Sequence, residues 1–147
     1  MARQVLLVAA YDSQLKWVMT LADEFADQGW RYTVVVPTDV RHSLSSDQIA
    51  AAANGVGIER LRWAELLRRS RLADCVVLAL QGTLVARFTD ELELLRRESP
   101  SDHEPVVVTG WVGIIIEKLV AGYLDRAGSD VIAVNSADNL REFTEAG

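Results

Sequence analysis

Asp130-Val-Ile-Ala-Val-Asn-Ser-Ala-Asp-Asn-Leu-Arg-Glu-Phe-Thr-Glu-Ala-Gly147 decides the fold. Val131–Val134 is four apolar residues between an acid and a polar pair, too short for a buried helix and right for a strand. Asn135-Ser136 is a polar turn that can cap a helix, and the following polar segment with Leu140 and Phe143 reads as a short helix stopped by Gly147. A continuous apolar run, rather than an alternating one, predicts a strand buried on both faces, as in a parallel sheet covered by helices.

The same unit recurs upstream. Apolar runs stand at Val5–Ala10, Tyr32–Val36, Ile58–Leu61, Cys75–Leu80 and Val106–Thr109. Glu59 and Arg60 interrupt the third, which places it at a sheet edge. Between the runs the spacing predicts helices over Ser13–Asp27, closed by Gly29, and over Ser46–Asn54, opened by Ser46-Asp47. Further helices are read over Trp63–Leu72, Thr83–Arg97 and Ile114–Arg126. Strands and helices alternating at this interval form right-handed βαβ units. The expected fold is therefore α/β: one three-layer, Rossmann-like doubly wound parallel sheet of about six strands in the order 3-2-1-4-5-6. The polar stretch Glu98–Glu104 reads as an exposed loop.

Composition fits one domain across residues 1–147. Half of the 147 residues are hydrophobic and 24% charged, which argues against disorder. A net charge of −6 argues against nucleic acid as a partner, since phosphate binding needs a basic face. Residues 1–74 carry nine basic and nine acidic side chains, and residues 75–147 carry six and twelve. Arg60, Arg62, Arg68, Arg69 and Arg71 form a basic cluster in the neutral half; a solvated helix face is the plainer reading, and an anionic acceptor or lipid surface the other. The single Cys75 opens an apolar run and reads as a buried structural thiol suited to a reducing cytosol. The apolar run after Met1-Ala-Arg-Gln is too short for a secretory signal, and no run approaches the roughly 20 residues needed to span a bilayer. A soluble, cytoplasmic protein is expected, with peripheral contact at the inner face of the membrane as a further option.

Ligands in a doubly wound sheet bind beyond the carboxyl ends of the strands, near the crossover between strands 1 and 4. That rule selects Tyr11-Asp12-Ser13, Pro37-Thr38-Asp39, Gln81-Gly82-Thr83, Gly110-Trp111-Val112-Gly113 and Asn135-Ser136. In the first stretch, Asp12 or Ser13 can cap the next helix, and Lys16 and Trp17 follow within a turn. Carboxylate, hydroxyl, ammonium and indole could together grip a polar acceptor, with Asp12 as general base. The bland alternative is a capping role for Asp12 or Ser13 and packing under a loop for Trp17. Gly110 and Gly113 allow a sharp turn in which Trp111 could stack on a sugar ring, and a plain strand-to-helix turn accounts for the same residues. Thr83 reads as a helix cap or as a ligand contact alongside Gln81 and Gly82.

Several chemistries are excluded. No Gly-x-Gly-x-x-Gly follows strand 1 and no Gly-x-x-x-x-Gly-Lys-Ser/Thr occurs anywhere, so neither a nicotinamide cofactor nor ATP has its usual cradle. His42 and His103 lie apart in polar loops without partners at ligand spacing, so no metal is expected. The pair Asp39 and His42 reads as solvent-facing. There is no Gly-x-Ser-x-Gly elbow. A phospho-acceptor receiver needs an acidic pair after strand 1 and an Asp after strand 3; here only Asp12 and then Trp63-Ala64 follow those strands.

Taken in order, Asp12-Ser13-x-x-Lys16-Trp17, Val77-Leu78-Ala79-Leu80-x-Gly82, Gly110-x-x-Gly113-Ile114 and the Asp130–Phe143 strand and helix resemble the N-terminal part of a bacterial family of candidate glycosyltransferases. More broadly, Asp130–Gly147 is similar to the end of the first lobe of GT-B glycosyltransferases. The chain departs from many of them in lacking a glycine-rich loop after strand 1. The resemblance implies an acceptor-binding N-terminal lobe, a donor lobe for a nucleotide sugar beyond Gly147, and transfer in the cleft between them without an obligatory metal. An orphan lobe is expected to show an apolar docking face or to form a homodimer through it. The alternative is a stand-alone ligand-binding or protein-interaction module of the same architecture.

Overall fold

The computed structural model describes residues 2–41, 43–53, 56–111, 119–134 and 137–146. The elements run β1 (Gln4–Ala9), α1 (Asp12–Asp27), β2 (Arg31–Pro37), α2 (Ser46–Ala52), β3 (Ile58–Leu61) and α3 (Trp63–Ser70). They continue as β4 (Cys75–Ala79), α4 (Gly82–Glu98), β5 (Val106–Gly110), α5 (Leu119–Arg126), β6 (Val131–Ala133) and α6 (Ala137–Ala146). Every strand pair is parallel and the order is β3-β2-β1-β4-β5-β6, as expected from the apolar runs. The predicted helix over Ile114–Arg126 is described from Leu119 onward, and the rest of that range lies outside the described residues.

Alternate strand residues feed two separate cores, which is why the runs are continuous. Leu6, Val8, Val35, Val76, Leu78 and Val107 point to the α3–α4 side and pack on Trp63, Leu66, Val85, Phe88 and Leu92. Val5, Leu7, Val34, Val36 and Val77 point the other way, onto Leu15, Val18 and Ala22 of α1 and Ile49 of α2. Cys75 belongs to this second core, and burial pushes its thiol up to about 11, so at neutral pH it stays protonated and inert as the sequence suggested. β6 closes the sheet as an edge strand of half-exposed residues.

The helix ends explain the boundaries, and three expected caps are corrected. α1 ends in a Schellman turn: Trp30 N–H donates to Phe25 O at 2.9 Å and Gly29, at φ +80°, donates to Ala26 O at 3.0 Å. The Phe25 and Trp30 rings meet edge-on at 5.3 Å across that turn. At its start α1 has Tyr11 in the capping position, so neither Asp12 nor Ser13 is the cap. α2 is capped by Ser45, one residue before the expected pair, with Ser45 N–H donating back to Gln48 Oε1 at 2.9 Å. α4 opens at Gly82 behind Gln81, which leaves Thr83 inside the first turn rather than at the cap.

Four of the five clustered arginines are engaged: Arg60 donates to Ser46 Oγ, Arg68 pairs with Glu65, Arg69 with Glu59 and Arg71 with Glu104. Burial alone would raise Glu104, but hydrogen bonds from Arg96 and Arg71 hold its carboxyl below the usual range. Among the described residues this face is a network of opposite charges rather than a field of one sign. No helix among them is long and apolar enough to cross a membrane.

Candidate functional site at the carboxyl edge of the sheet

The entrance of α1 is fixed by a residue that the motif reading passed over. Gln14 is 7% exposed, and its Oε1 accepts from Ala10 N–H at 3.0 Å and Tyr11 N–H at 3.1 Å. This locks the turn from β1 into α1 without a glycine. Leu44 N–H donates to Ala10 O at 3.1 Å, which pins the loop after β2 to the end of β1.

The first turn of α1 then presents two faces. Asp12 and Lys16 share one, with Lys16 Nζ 2.7 Å from Asp12 Oδ2; their side chains are 71% (Lys16) and 58% (Asp12) exposed. Together with Leu44, Gln48, Ala51 and Ala52 they line a cavity of about 280 Å³ between α1 and α2. An ion pair this exposed stabilises the fold by roughly 0–1 kcal/mol, so a ligand can separate it cheaply. Ser13, exposed, and Trp17, half-buried, lie one position round the helix.

Trp17 is directed to the far side of the sheet edge. A Cβ placed on Gly110 would lie 2.2 to 2.9 Å from three atoms of its ring, so the indole rests directly against the backbone where β5 ends. Gly110→Val is expected to destabilise by about 1–3 kcal/mol, because the added side chain would overlap the Trp17 ring, which packs against the second core. Chemical denaturation measures this; an unchanged midpoint would mean that Trp17 does not pack there.

Thr38 and Asp39 are spent on structure. Thr38 N–H donates to Leu61 O at 2.9 Å, and Asp39 Oδ1 accepts from Trp63 N–H at 2.7 Å, capping α3 from outside. On the opposite face, the glycine that starts α4 is covered: a Cβ on Gly82 would lie 2.5 Å from Asp125 Oδ2. Gln81 and Thr83 are exposed beside it. Trp111 turns toward α5, where a Cβ on Gly122 would fall 1.9 Å from its ring, and the Arg126 guanidinium lies over it at 4.3 Å. Gly113, Asn135 and Ser136 lie outside the described residues.

The candidates therefore do not converge on one point. Asp12 and Lys16 belong to the α1–α2 face, Gly82 and Trp111 to the α4–α5 face, and Trp17 with Gly110 lies at the strand ends. A larger apolar cavity of about 540 Å³, lined by Leu67, Leu94 and Leu95 among others, sits between α3 and α4 toward their C-terminal ends, on the strand-start side of the sheet. For polar chemistry the carboxyl edge is the better site, because among the described residues it alone offers an accessible carboxylate beside an ammonium.

The family model "Putative glycosyltransferase (DUF6716)" matches residues 5–147. The chain belongs to this family. No curated protein and no solved structure matches it.

The DUF6716 match runs from the second residue of β1 through α6, so it takes in both faces of the carboxyl edge. Sequence reading missed Gln14, Leu44, Gln48, Asp125 and Arg126 of this DUF6716 chain. Gln14 had a signal, a glutamine three residues after the cap whose side chain bonds back to the cap's N–H. The others are brought to the edge only by tertiary packing. Among the described residues no group of three or more His, Cys, Asp or Glu side chains could hold a metal ion.

Proposed function

We propose that this chain is the acceptor-side lobe of a GT-B-type glycosyltransferase, in which Asp12 is the general base toward an acceptor hydroxyl and Lys16 orients the acceptor. The observation that carries the reading is the accessible Asp12–Lys16 pair at the mouth of a cavity at the end of β1. A carboxylate acts as base only where substrate reaches it, and Asp12 is more than half exposed in a place where doubly wound sheets bind ligands. Leu44, Ala51 and Ala52 give that cavity an apolar wall for the ring carbons of an acceptor, and Gln48 adds an amide for a hydroxyl. The family match supports sugar transfer as the chemistry, and donor binding falls to a second lobe.

The test uses the full-length gene product with labelled nucleoside-diphosphate sugars, offered with small-molecule and membrane-lipid fractions as acceptor source. Transfer of label to an acceptor, persisting in EDTA, is expected. Absence of transfer from every donor, with the protein folded, would leave a ligand-binding module instead.

A further inference from the structure

Arg126 is the one charged residue that is buried among the described residues. It is 4% exposed at the end of α5, yet among the described residues no carboxylate pairs with it. Its Nη1 donates to Gly122 O at 3.1 Å and its Nη2 reaches Leu80 O at 3.5 Å, while its Nε is buried without a hydrogen-bond partner. Burial pulls the guanidinium below its usual range, partly offset by Asp125. An apolar side chain of similar length would fill this place without the cost of desolvating a charge. The feature that an apolar side chain would not reproduce is the stack on Trp111, whose indole lies under the guanidinium at 4.3 Å and against the bare backbone of Gly122.

We propose that Arg126 is a positioning residue that holds Trp111 in one orientation at the carboxyl edge, so that the indole meets a sugar ring of the acceptor. The guanidinium touches the end of β4 through Leu80 O, its own helix through Gly122 O, and the residue following β5 through the ring. The guanidinium thereby ties Trp111 to two strands and a helix. Gly122 is the second half of the device: a methyl group there would push the ring off its seat without touching the charge. The sugar contact rests on the acceptor reading above and extends it from the α1–α2 cavity across the carboxyl edge to the α4–α5 face; the orientation of Trp111 depends on neither.

The experiment labels the full-length protein with 5-fluorotryptophan and records ¹⁹F spectra, with Trp111→Phe identifying the Trp111 resonance. In the parent and in Arg126→Lys, which keeps a cation in reach of the ring, one sharp Trp111 line is expected. Arg126→Met and Gly122→Ala are each expected to shift or split it while the lines of Trp17, Trp30 and Trp63 stay in place. In the transfer assay Arg126→Met should raise acceptor KM about tenfold or more and leave kcat within about threefold, and Trp111→Ala should do the same without adding to it. An unmoved Trp111 line in folded Arg126→Met overturns the positioning role. A moved line with unchanged KM in both Arg126→Met and Trp111→Ala keeps the clamp and removes its sugar contact. A Trp111 line that shifts on adding inorganic phosphate, and only when Arg126 is present, would make Arg126 an anion receptor and overturn the proposal as stated.

Discussion

Asp12→Asn in the full-length protein is expected to cut glycosyl transfer by roughly a hundredfold to ten-thousandfold, the range that a positioned acid or base supplies. The substitution keeps the shape of the side chain and removes its ability to take a proton. Its structural cost is small, because the partner of Asp12 is Lys16 and that pair is largely exposed. Donor binding should be untouched and the acceptor KM little changed, so the loss falls on kcat. Lys16→Met gives the complementary outcome, a raised KM with a smaller change in kcat. Asp12→Asn turning over at the parent rate would dismiss Asp12 as base and leave the pair as an ordinary i,i+4 contact.

Phe88→Ala is expected to destabilise the domain by about 3–5 kcal/mol, the usual cost of emptying a core aromatic site. Phe88 is fully buried in α4, where it packs in the α3–α4 core with Leu78, Val85 and Leu92. Its ring meets Trp63 edge-on with centroids 6.0 Å apart. Trp63 in turn is held by a 2.6 Å hydrogen bond from Nε1 to Glu91 and by Arg87 over its ring at 4.6 Å, so it cannot swing in to fill the void. Against a total stability of roughly 5–15 kcal/mol this removes a large share, and the melting temperature should fall by about 10 °C or more. Leu94→Ala, at an exposed site on the same helix, should stay within about 0.5 kcal/mol and serves as the control. Equal midpoints for the two variants would show that the α3–α4 core is not packed as described.

The sheet was legible because each apolar run serves two cores at once, and continuous Val and Leu are the direct trace of that demand. Ile58–Leu61 announced itself as an edge strand through Glu59 and Arg60, which a central strand could not hold. The caps were less legible: Asp12, Ser46 and Thr83 are residues of capping type, but Tyr11, Ser45 and Gln81, one or two positions earlier, take the turn geometry. The edge site was read only by position. Sequence order put Asp12, Ser13, Lys16 and Trp17 together, and helical rotation divided them, sending Asp12 and Lys16 to α2 and Trp17 to Gly110. Arg126 was invisible because its meaning lies in Leu80 and Trp111, 46 and 15 residues away.

The glutamine lock on the first turn decides how any charged group can be held beside β1. Where a dinucleotide fold leaves its loop amides facing the ligand, here the N–H groups of Ala10 and Tyr11 are already consumed by Gln14. Negative charge arriving at this corner meets a long, solvated ammonium already paired with Asp12 instead of a rigid backbone nest. Such attraction fades over about 8 Å in physiological salt, so recognition there is soft, tolerant of shape and weakened by ionic strength.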